Sequence, residues 1–160
     1  MKTILFSSYH SPEVLGYPDS YTVLSDDNPE NMIGHGPCSC CPNPYHMDNN
    51  QIKYWQVLYG WVAPGEYDGE VIDGHPRFGK CIEINGGGRV ATRNQNLNHG
   101  GERYATEVFI HHGFPPPDDW RGSAGCLTIS PSEFEKFIAL FSAGEKVKIR
   151  IIDCIGMRQA

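Results

Sequence analysis

Hydrophobic and polar positions follow a strand-like pattern over most of the chain. Short runs rich in β-branched and aromatic residues alternate with turn-forming residues, which is typical of strands. Four such runs are MKTILFSS at the start, YWQVLYGWV at 54–62, GKCIEING at 79–86 and TEVFIHH at 106–112. In the last run, the two-residue period places Val108 and Ile110 on one face, and Phe109 and His111 on the other.

One segment, PSEFEKFIALFSAG at 131–144, has helical spacing instead. Its large apolar residues recur three or four positions apart and predict one buried face. These residues are Phe134, Phe137, Ile138 and Phe141. Ser130 is a good N-cap, and Glu133 three positions later completes a capping box. Gly144 is a typical helix end.

The run KVKIRIID at 146–153 predicts a closing strand after this helix. Residues 1–50 are expected to be irregular beyond the first strand, because DDNPEN and CPNP contain strong turn-formers. The sequence contains no internal repeat and no low-complexity linker, so this N-terminal extension is interpreted as part of the same domain as residues 51–160. The predicted fold class is mainly β (α+β), with one packed helix.

Composition and charge narrow the possible partners. The chain of 160 residues is long enough for one domain, and its 18 glycines and 12 prolines favour turns and short strands. A formal net charge of −6 argues against nucleic acid or an anionic membrane as the main partner.

No apolar run reaches the roughly 18 to 20 residues that span a bilayer. The first residues are interpreted as a strand and not as a signal peptide, because no small-residue cleavage site follows them.

The six cysteines do not indicate whether the protein works in an oxidising or a reducing compartment. Three of them form an N-terminal cysteine cluster with two histidines, and these residues are Cys38, Cys40, Cys41, His35 and His46. The cluster is a candidate metal site, but C-x-C-C is not a usual zinc spacing. A disulfide to Cys81 or Cys154 and a reduced loop are the alternatives. A papain-like order with an early cysteine nucleophile is disfavoured, because no helix start clearly follows the cluster. The prediction therefore includes no metal and no cofactor.

Cys126 lies in GSAGCLTIS, just before the helical segment. Small residues at 122–125 let the backbone turn tightly, which leaves the sulfur approachable and lets N–H groups face a developing oxyanion. A thiol with a pKa of about 8.5 needs a base or a positive field to act at neutral pH. His111 and His112 are the nearest candidates, about 15 residues upstream. The alternative is a small core cysteine with two unrelated surface histidines.

The segment from Ile110 to Leu127 resembles the catalytic core of the L,D-transpeptidase family (YkuD-type domains). In that family a strand ends in an apolar residue and His, and a variable loop leads to Ser/Thr-His-Gly-Cys and another apolar residue. Here Ile110-His111 precedes a loop and then Ser123-Ala124-Gly125-Cys126-Leu127. The similarity continues into LTISPSEFEKF, GEKVKIRII and an upstream APGEY turn, and covers roughly residues 54–154. Ala124 replaces the usual histidine, and Thr128 stands where Arg or Asn is usual.

The resemblance implies an L,D-transpeptidase-like β-sandwich or barrel with one packed helix after the catalytic cysteine. It implies that Cys126 is the nucleophile and His111 the base, with the His112 carbonyl orienting the imidazole. A second alignment makes His112 the base, through the family's His-Gly variant. In both alignments, N–H groups around Gly125 and Cys126 form the oxyanion hole, and Ser123 supports the loop.

Four further residues are weaker candidates for substrate contacts. His99 and Arg103 lie in the polar, glycine-rich run NQNLNHGGERY, which is either a solvated turn or a cleft wall that meets a substrate carboxylate. Trp120 and Arg121 immediately precede the Ser-x-Gly-Cys segment. They form either a wall of the donor site or simple loop packing.

The function implied by the resemblance is cysteine-dependent acyl transfer on peptidoglycan stem peptides through a thioester acyl-enzyme. An amine acceptor makes such an enzyme a transpeptidase, and water makes it a carboxypeptidase or endopeptidase. The alternatives are a non-catalytic cell-wall-binding module of the same fold and a secreted or phage-encoded wall-degrading effector. Action on the wall implies a periplasmic or extracellular location, reached from the cytoplasm by a route that needs no classical signal. The sequence does not indicate the oligomeric state.

Overall fold

Eight strands close into a barrel in the computed structural model, which describes residues 1–8, 16–26, 28–40, 61–93, 104–113 and 126–153. In barrel order they are β1 (Thr3–Ser8), β11 (Lys146–Asp153), β5 (Gly65–His75), β6 (Gly79–Ile84), β9 (Phe109–His112), β10 (Leu127–Ile129), β3 (Met32–Ser39) and β2 (Asp19–Leu24). A second sheet contains β4 (Trp61–Val62), β7 (Val90–Arg93) and β8 (Tyr104–Ala105), in that order. The predicted mainly β fold class is confirmed.

The alternation of residues in β11 explains how the barrel core is filled. Its inward residues are buried, and they are Val147, Ile149 and Ile151. The intervening Lys148 and Arg150 are only partly buried, and Nε of Arg150 donates a hydrogen bond of 2.6 Å to Glu66 on β5. Burial of each large aliphatic side chain contributes about 1.5 to 3 kcal/mol. The predicted closing strand is therefore confirmed, and it lies between β1 and β5.

The N-terminal segment is more regular than its sequence suggests. The predicted first strand is confirmed as β1. The expectation that residues 1–50 are irregular beyond this strand is wrong for β2 and β3. These two strands pair with each other, and they close the barrel between β1 and β10. The barrel is thus built from residues on both sides of the expected boundary at residue 50.

A glycine on β5 allows three strands to approach closely. A Cβ atom at Gly69 would lie 2.8 Å from both Ile149 Cδ1 and Val147 Cγ2, and 3.1 Å from Ile82 Cγ2. Core positions without free space tolerate added methyl groups poorly. We expect Gly69→Ala to lower the free energy of unfolding by about 1 to 3 kcal/mol.

Chemical denaturation measures this effect of Gly69→Ala directly. The matched control is Glu70→Ala, because Glu70 is the next residue of β5 and its side chain is exposed. This control should change the free energy of unfolding by no more than about 0.5 kcal/mol. Equal effects of the two substitutions would contradict the close packing around Gly69.

A short helix, α1 (Phe134–Ile138), packs against the barrel core. The ring of Phe137 lies 5.0 Å from that of Tyr21 on β2, in an edge-to-face arrangement. The predicted apolar face is confirmed, since all four of its residues are buried: Phe134, Phe137, Ile138 and Phe141. The described residues contain one α-helix, as predicted.

The predicted extent and cap of this helix are wrong. Residues 131–133 form a turn in which the N–H of Glu133 donates to the Ser130 carbonyl at 2.9 Å. Glu133 itself occupies the cap position without a side-chain cap hydrogen bond. The hydroxyl of Ser130 lies 3.0 Å from that of Ser132, so the expected capping box is absent. Gly144 has a φ of 85° and its N–H donates to the Val71 carbonyl on β5.

Other predicted strands agree where they fall on described residues. GKCIEI is β6, and a 3-10 turn at Asn85–Gly87 follows it. Of the predicted run 54–62, residues 54–60 lie outside the described part of the chain, and the remaining two form β4. Among the described residues, no helix is long and apolar enough to cross a membrane.

Candidate active site

The parallel ladder between β9 and β10 brings Cys126 beside the predicted histidines. It aligns Leu127 with Ile110 and Thr128 with His111. The next position in this register places Cys126 opposite Phe109. The N–H of Phe109 donates to Cys126 Sγ at 3.4 Å, which agrees with this placement. Residues about 15 positions apart in the chain are thus neighbours in the sheet.

The two histidines lie on opposite faces of β9. Leu127 and Ile110 belong to the barrel core, so the period of two places Phe109, His111 and Cys126 on the outer face. His112 lies on the inner face, where its ring contacts Phe134 of α1 at a centroid distance of 5.5 Å. His112 also lines a groove of about 610 Å³ between β6 and α1. Of the two histidines, His111 shares its face with Cys126.

His111 is fully buried and has one ring nitrogen engaged. Its Nδ1 lies 2.7 Å from the His112 carbonyl oxygen, which is the contact that the family resemblance implies. Because a carbonyl oxygen only accepts, Nδ1 carries the proton and Nε2 carries the lone pair. Nε2 is buried without a hydrogen-bond partner among the described residues. Burial lowers the pKa of His111 to about 3, so the imidazole is neutral near pH 7.

The Cys126 thiol is half-buried, and its surroundings affect its pKa in opposite directions. Burial has the largest effect and raises the pKa, while the Phe109 N–H and the charge of Arg77 lower it. The net result is a raised pKa, so the resting sulfur is a thiol and not a thiolate. The thiol lies 4.0 Å from the Glu107 carbonyl oxygen, which is at most a weak acceptor for it.

The turn between β5 and β6 covers the outer face beside His111. The Phe78 ring stacks on the His111 ring with a centroid distance of 3.8 Å and an interplanar angle of 9°. His75 stacks on Phe78 at 4.9 Å and meets the Phe109 ring edge-on at 5.0 Å. Sequence reasoning missed His75, Arg77 and Phe78, which lie more than 30 positions before β9. Their only local signal is a Gly-His-Pro turn, which does not indicate a site.

Several predicted residues lie outside the described part of the chain. They are the loop residues Ser123 and Gly125, and the substrate-contact candidates Trp120, Arg121, His99 and Arg103. Thr128, which departs from the family motif, is described. It lies opposite His111 in the ladder, and its hydroxyl is buried without a hydrogen-bond partner among the described residues.

The N-terminal cysteine cluster is only partly described, since Cys41 and His46 lie outside the described residues. Cys38 and Cys40 are buried in the barrel core, and the described part of the chain has no group of three or more metal-ligating side chains. A hydrogen bond with Cys38 and burial raise the pKa of Cys40 well above its usual range. Among the described residues, Cys38, Cys40 and Cys81 form no disulfide, so this cluster is not bridged to Cys81 there. Such deeply buried thiols are poor nucleophiles.

Comparison with known proteins identifies similar folds only. No known family model matches the chain, and no curated protein matches it. The solved structure of Bd1075 from Bdellovibrio bacteriovorus is 14% identical with a TM-score of 0.53, and the match covers 94% of this chain and 47% of that one. An L,D-transpeptidase from Stackebrandtia nassauensis is 14% identical with a TM-score of 0.46, covering 92% of this chain and 54% of that one. L,D-transpeptidase 1 from Mycobacterium tuberculosis is 12% identical with a TM-score of 0.42, covering 94% of this chain and 62% of that one.

This chain spans roughly half the length of the solved structures that it matches. At such low identity, the similarity to Bd1075 supports the fold and nothing finer. The structural neighbours include L,D-transpeptidases. Any activity must therefore be argued from the site itself.

Proposed function

We propose that the protein is a cysteine-dependent acyl transferase or peptidase that acts on peptidoglycan stem peptides. Cys126 is the nucleophile and His111 the general base in this proposal. One observation carries it: Cys126 lies on the same outer face of adjacent strands as His111, whose buried Nε2 has no hydrogen-bond partner among the described residues. A buried polar atom without a partner costs about 1 to 3 kcal/mol, so a functional reason for it is expected.

The hydrogen bond of Nδ1 to the His112 carbonyl supports His111 as the base. It fixes the tautomer in which Nε2 accepts a proton, and it holds the ring in one orientation. The Phe78 ring, stacked at 3.8 Å, restricts the imidazole further. The inward position of His112, against Phe134, disfavours the alternative alignment. His112 Nδ1 makes an equivalent contact of 2.7 Å with the Gly113 carbonyl, so the position of the ring, and not this hydrogen bond, makes His111 the better candidate.

The reaction follows from a neutral thiol and a neutral imidazole. As the Cys126 sulfur attacks the peptide carbonyl, its proton moves to Nε2 of His111. The C–N bond then breaks, the amine leaves with that proton, and a thioester remains on Cys126. An incoming amine or water gives its proton to Nε2 and forms the new amide or acid. The proton then returns to the sulfur.

The proposed substrate comes from the family resemblance in the Cys126 segment. That resemblance implies a stem peptide as the acyl donor and an action in the periplasm or outside the cell. The residues Ala124 and Thr128 differ from the family motif and bear on which acceptor is used. Product masses distinguish the two reactions, because transpeptidation joins two peptides and hydrolysis adds one water.

Replacing each of the two histidines in turn tests which of them is the base. We expect His111→Gln to lower kcat/KM on purified muropeptides by about 10² to 10⁴-fold, the usual contribution of a general base. We expect His112→Gln to retain activity within about tenfold, because that side chain lies on the opposite face of β9. Mass spectrometry of the products measures both variants, and circular dichroism checks that they fold. A large loss in His112→Gln with activity kept in His111→Gln would reverse the assignment.

One observation favours a second candidate function, a non-catalytic wall-binding module of the same fold. Burial raises the pKa of Cys126, whereas many catalytic thiols have a lowered pKa. A binding module would sediment with isolated cell wall and change no muropeptide mass, and Cys126→Ala would sediment equally well. An enzyme would change muropeptide masses in a manner that requires Cys126.

A further inference from the structure

The turn between β5 and β6 holds an exposed arginine beside the proposed catalytic pair. The backbone N–H groups of Arg77 and Phe78 donate to His75 Nδ1 at 3.1 Å and 3.2 Å. These two bonds close the turn, and the stacking of His75 on Phe78 stabilises it. The backbone position of Arg77 is therefore fixed by local hydrogen bonds.

Aromatic contacts join this turn to both reacting groups. The guanidinium carbon of Arg77 lies over the Phe78 ring, 5.4 Å from its centroid, and Phe78 stacks on His111. On the other side of the turn, His75 contacts Phe109, whose N–H donates to Cys126 Sγ. The positive charge is thus held over Phe78 at an exposed position beside His111.

Charged side chains of opposite sign lie near the two ends of β6. The ladder between β6 and β9 aligns Glu83 with Phe109, and the same register places Cys81 opposite His111. The turn and Glu83 therefore lie at opposite ends of this strand. A Cβ atom at Gly87 would lie 3.5 Å from Glu83 Oε2 and 3.4 Å from Glu107 Oε1, so two carboxylates share the end away from Arg77. Cys126, beside Phe109, lies between these carboxylates and the turn that carries Arg77.

The charge of Arg77 also affects the titration of both reacting groups. After the larger effects of burial and a backbone hydrogen bond, it lowers the pKa of Cys126, and it also lowers the pKa of His111, where the charge of His112 has a larger effect. A cation that affects both groups also attracts an anion that approaches them.

We propose that Arg77 is a specificity-determining residue whose guanidinium draws the carboxylate of the acyl donor towards Cys126. The substrate class is then a peptide with a free carboxylate close to the scissile bond. A guanidinium is suited to this role, because its planar donors match a carboxylate in bidentate geometry. This inference rests on the proposed acyl transfer at Cys126. The competing explanation is that Arg77 has a structural role, through contacts such as that with Phe78.

Alkylation of Cys126 by two reagents of different charge tests the attraction without any peptide substrate. Iodoacetate is an anion and iodoacetamide is neutral, so the ratio of their rates cancels changes in the reactivity of the thiol itself. We expect Arg77→Gln to lower the iodoacetate-to-iodoacetamide ratio about three- to tenfold, the effect of removing one nearby charge from a partly solvated site. Peptide mass spectrometry identifies the labelled cysteine, and added salt should diminish the difference.

Two variants control this experiment. Arg77→Lys keeps the charge and should stay within about twofold of the parent ratio. Arg89→Gln removes another arginine that lies over an aromatic ring, 4.2 Å from the Tyr104 centroid, and should leave the ratio unchanged. An unchanged ratio in Arg77→Gln, or an equal fall in Arg89→Gln, would overturn the proposal.

Muropeptides with free and amidated donor carboxylates then test the specificity. Arg77→Gln should raise KM several-fold for the free acid and leave KM for the amide unchanged. Equal losses on both substrates would show that Arg77 only supports Phe78, which overturns the proposal. If Cys126→Ala retains full turnover, the proposed function fails instead, and the alkylation ratio still decides whether Arg77 attracts anions to this thiol.

Discussion

Replacing Cys126 by alanine should lower turnover of muropeptides by at least about 10³-fold, because no thioester can form without the sulfur. The fold should survive, since Cys126 is half-buried at the edge of β10 and alanine occupies less space. The remaining activity would come only from substrate binding and any oxyanion contacts. This is the largest effect that the proposed mechanism predicts.

Intact-protein mass spectrometry after an acid quench measures this prediction. The parent protein should gain the mass of the donor acyl group, and Cys126→Ala should gain none. Cys81→Ala is the matched control, because Cys81 is a buried free thiol on the neighbouring strand β6. This control should keep the adduct. An adduct that persists in Cys126→Ala, or that disappears in Cys81→Ala, would assign the nucleophile elsewhere.

Much of the barrel could be predicted from sequence, because its strands carry their own pattern. Alternation in β11 and the β-branched run in β6 are local signals that the tertiary structure reinforces. β3 has no such signal, since MIGHGPCS contains two glycines and a proline. Instead, side chains from other parts of the fold lie close to its glycines. A Cβ atom at Gly34 would lie 2.8 Å from Leu140, and one at Gly36 would lie 3.0 Å from Tyr21.

The helix shows that a correct hydrophobic pattern does not fix the bounds of an element. The spacing of the buried phenylalanines is satisfied partly by α1 and partly by the turns around it, because Phe141 is buried beyond the helix end. Ser130 and Glu133 match a capping box in sequence. Their backbones form a turn instead, and Ser130 is buried between β10 and α1.

The candidate site also contains both residues that the sequence suggested and residues that only the structure reveals. Cys126 and His111 were suggested by the sequence, because a small-residue turn and a strand end are local features. The face that each histidine occupies follows from the two-residue period of β9, once the pairing with β10 is known. Arg77 and Phe78 had no such signal. They reach the site only because β6 pairs with β9, a contact between segments distant in the chain.

Acidification should destabilise the protein through His111. Burial lowers the pKa of this residue to about 3 in the folded state, whereas an unfolded chain has an ordinary histidine pKa of about 6.5. Below pH 6.5 the unfolded state therefore binds a proton that the folded state does not. The stability present above this pH is lost as the pH falls towards 3. The loss is about 3 kcal/mol at pH 4 and approaches about 5 kcal/mol at lower pH.

Urea denaturation between pH 7 and pH 4 measures this loss in the parent protein, in His111→Gln and in His35→Gln. A loss of about 3 kcal/mol is a large share of the stability of a typical domain. Carboxylates titrate in all three proteins, so the difference between their pH slopes isolates each histidine. His111→Gln should lose about 3 kcal/mol less than the parent over this range, and His35→Gln, which replaces an exposed histidine, controls for the loss of an imidazole as such. Equal slopes in the parent and His111→Gln would show that His111 binds a proton equally well in the folded and unfolded states, which would contradict the lowered pKa of the buried imidazole.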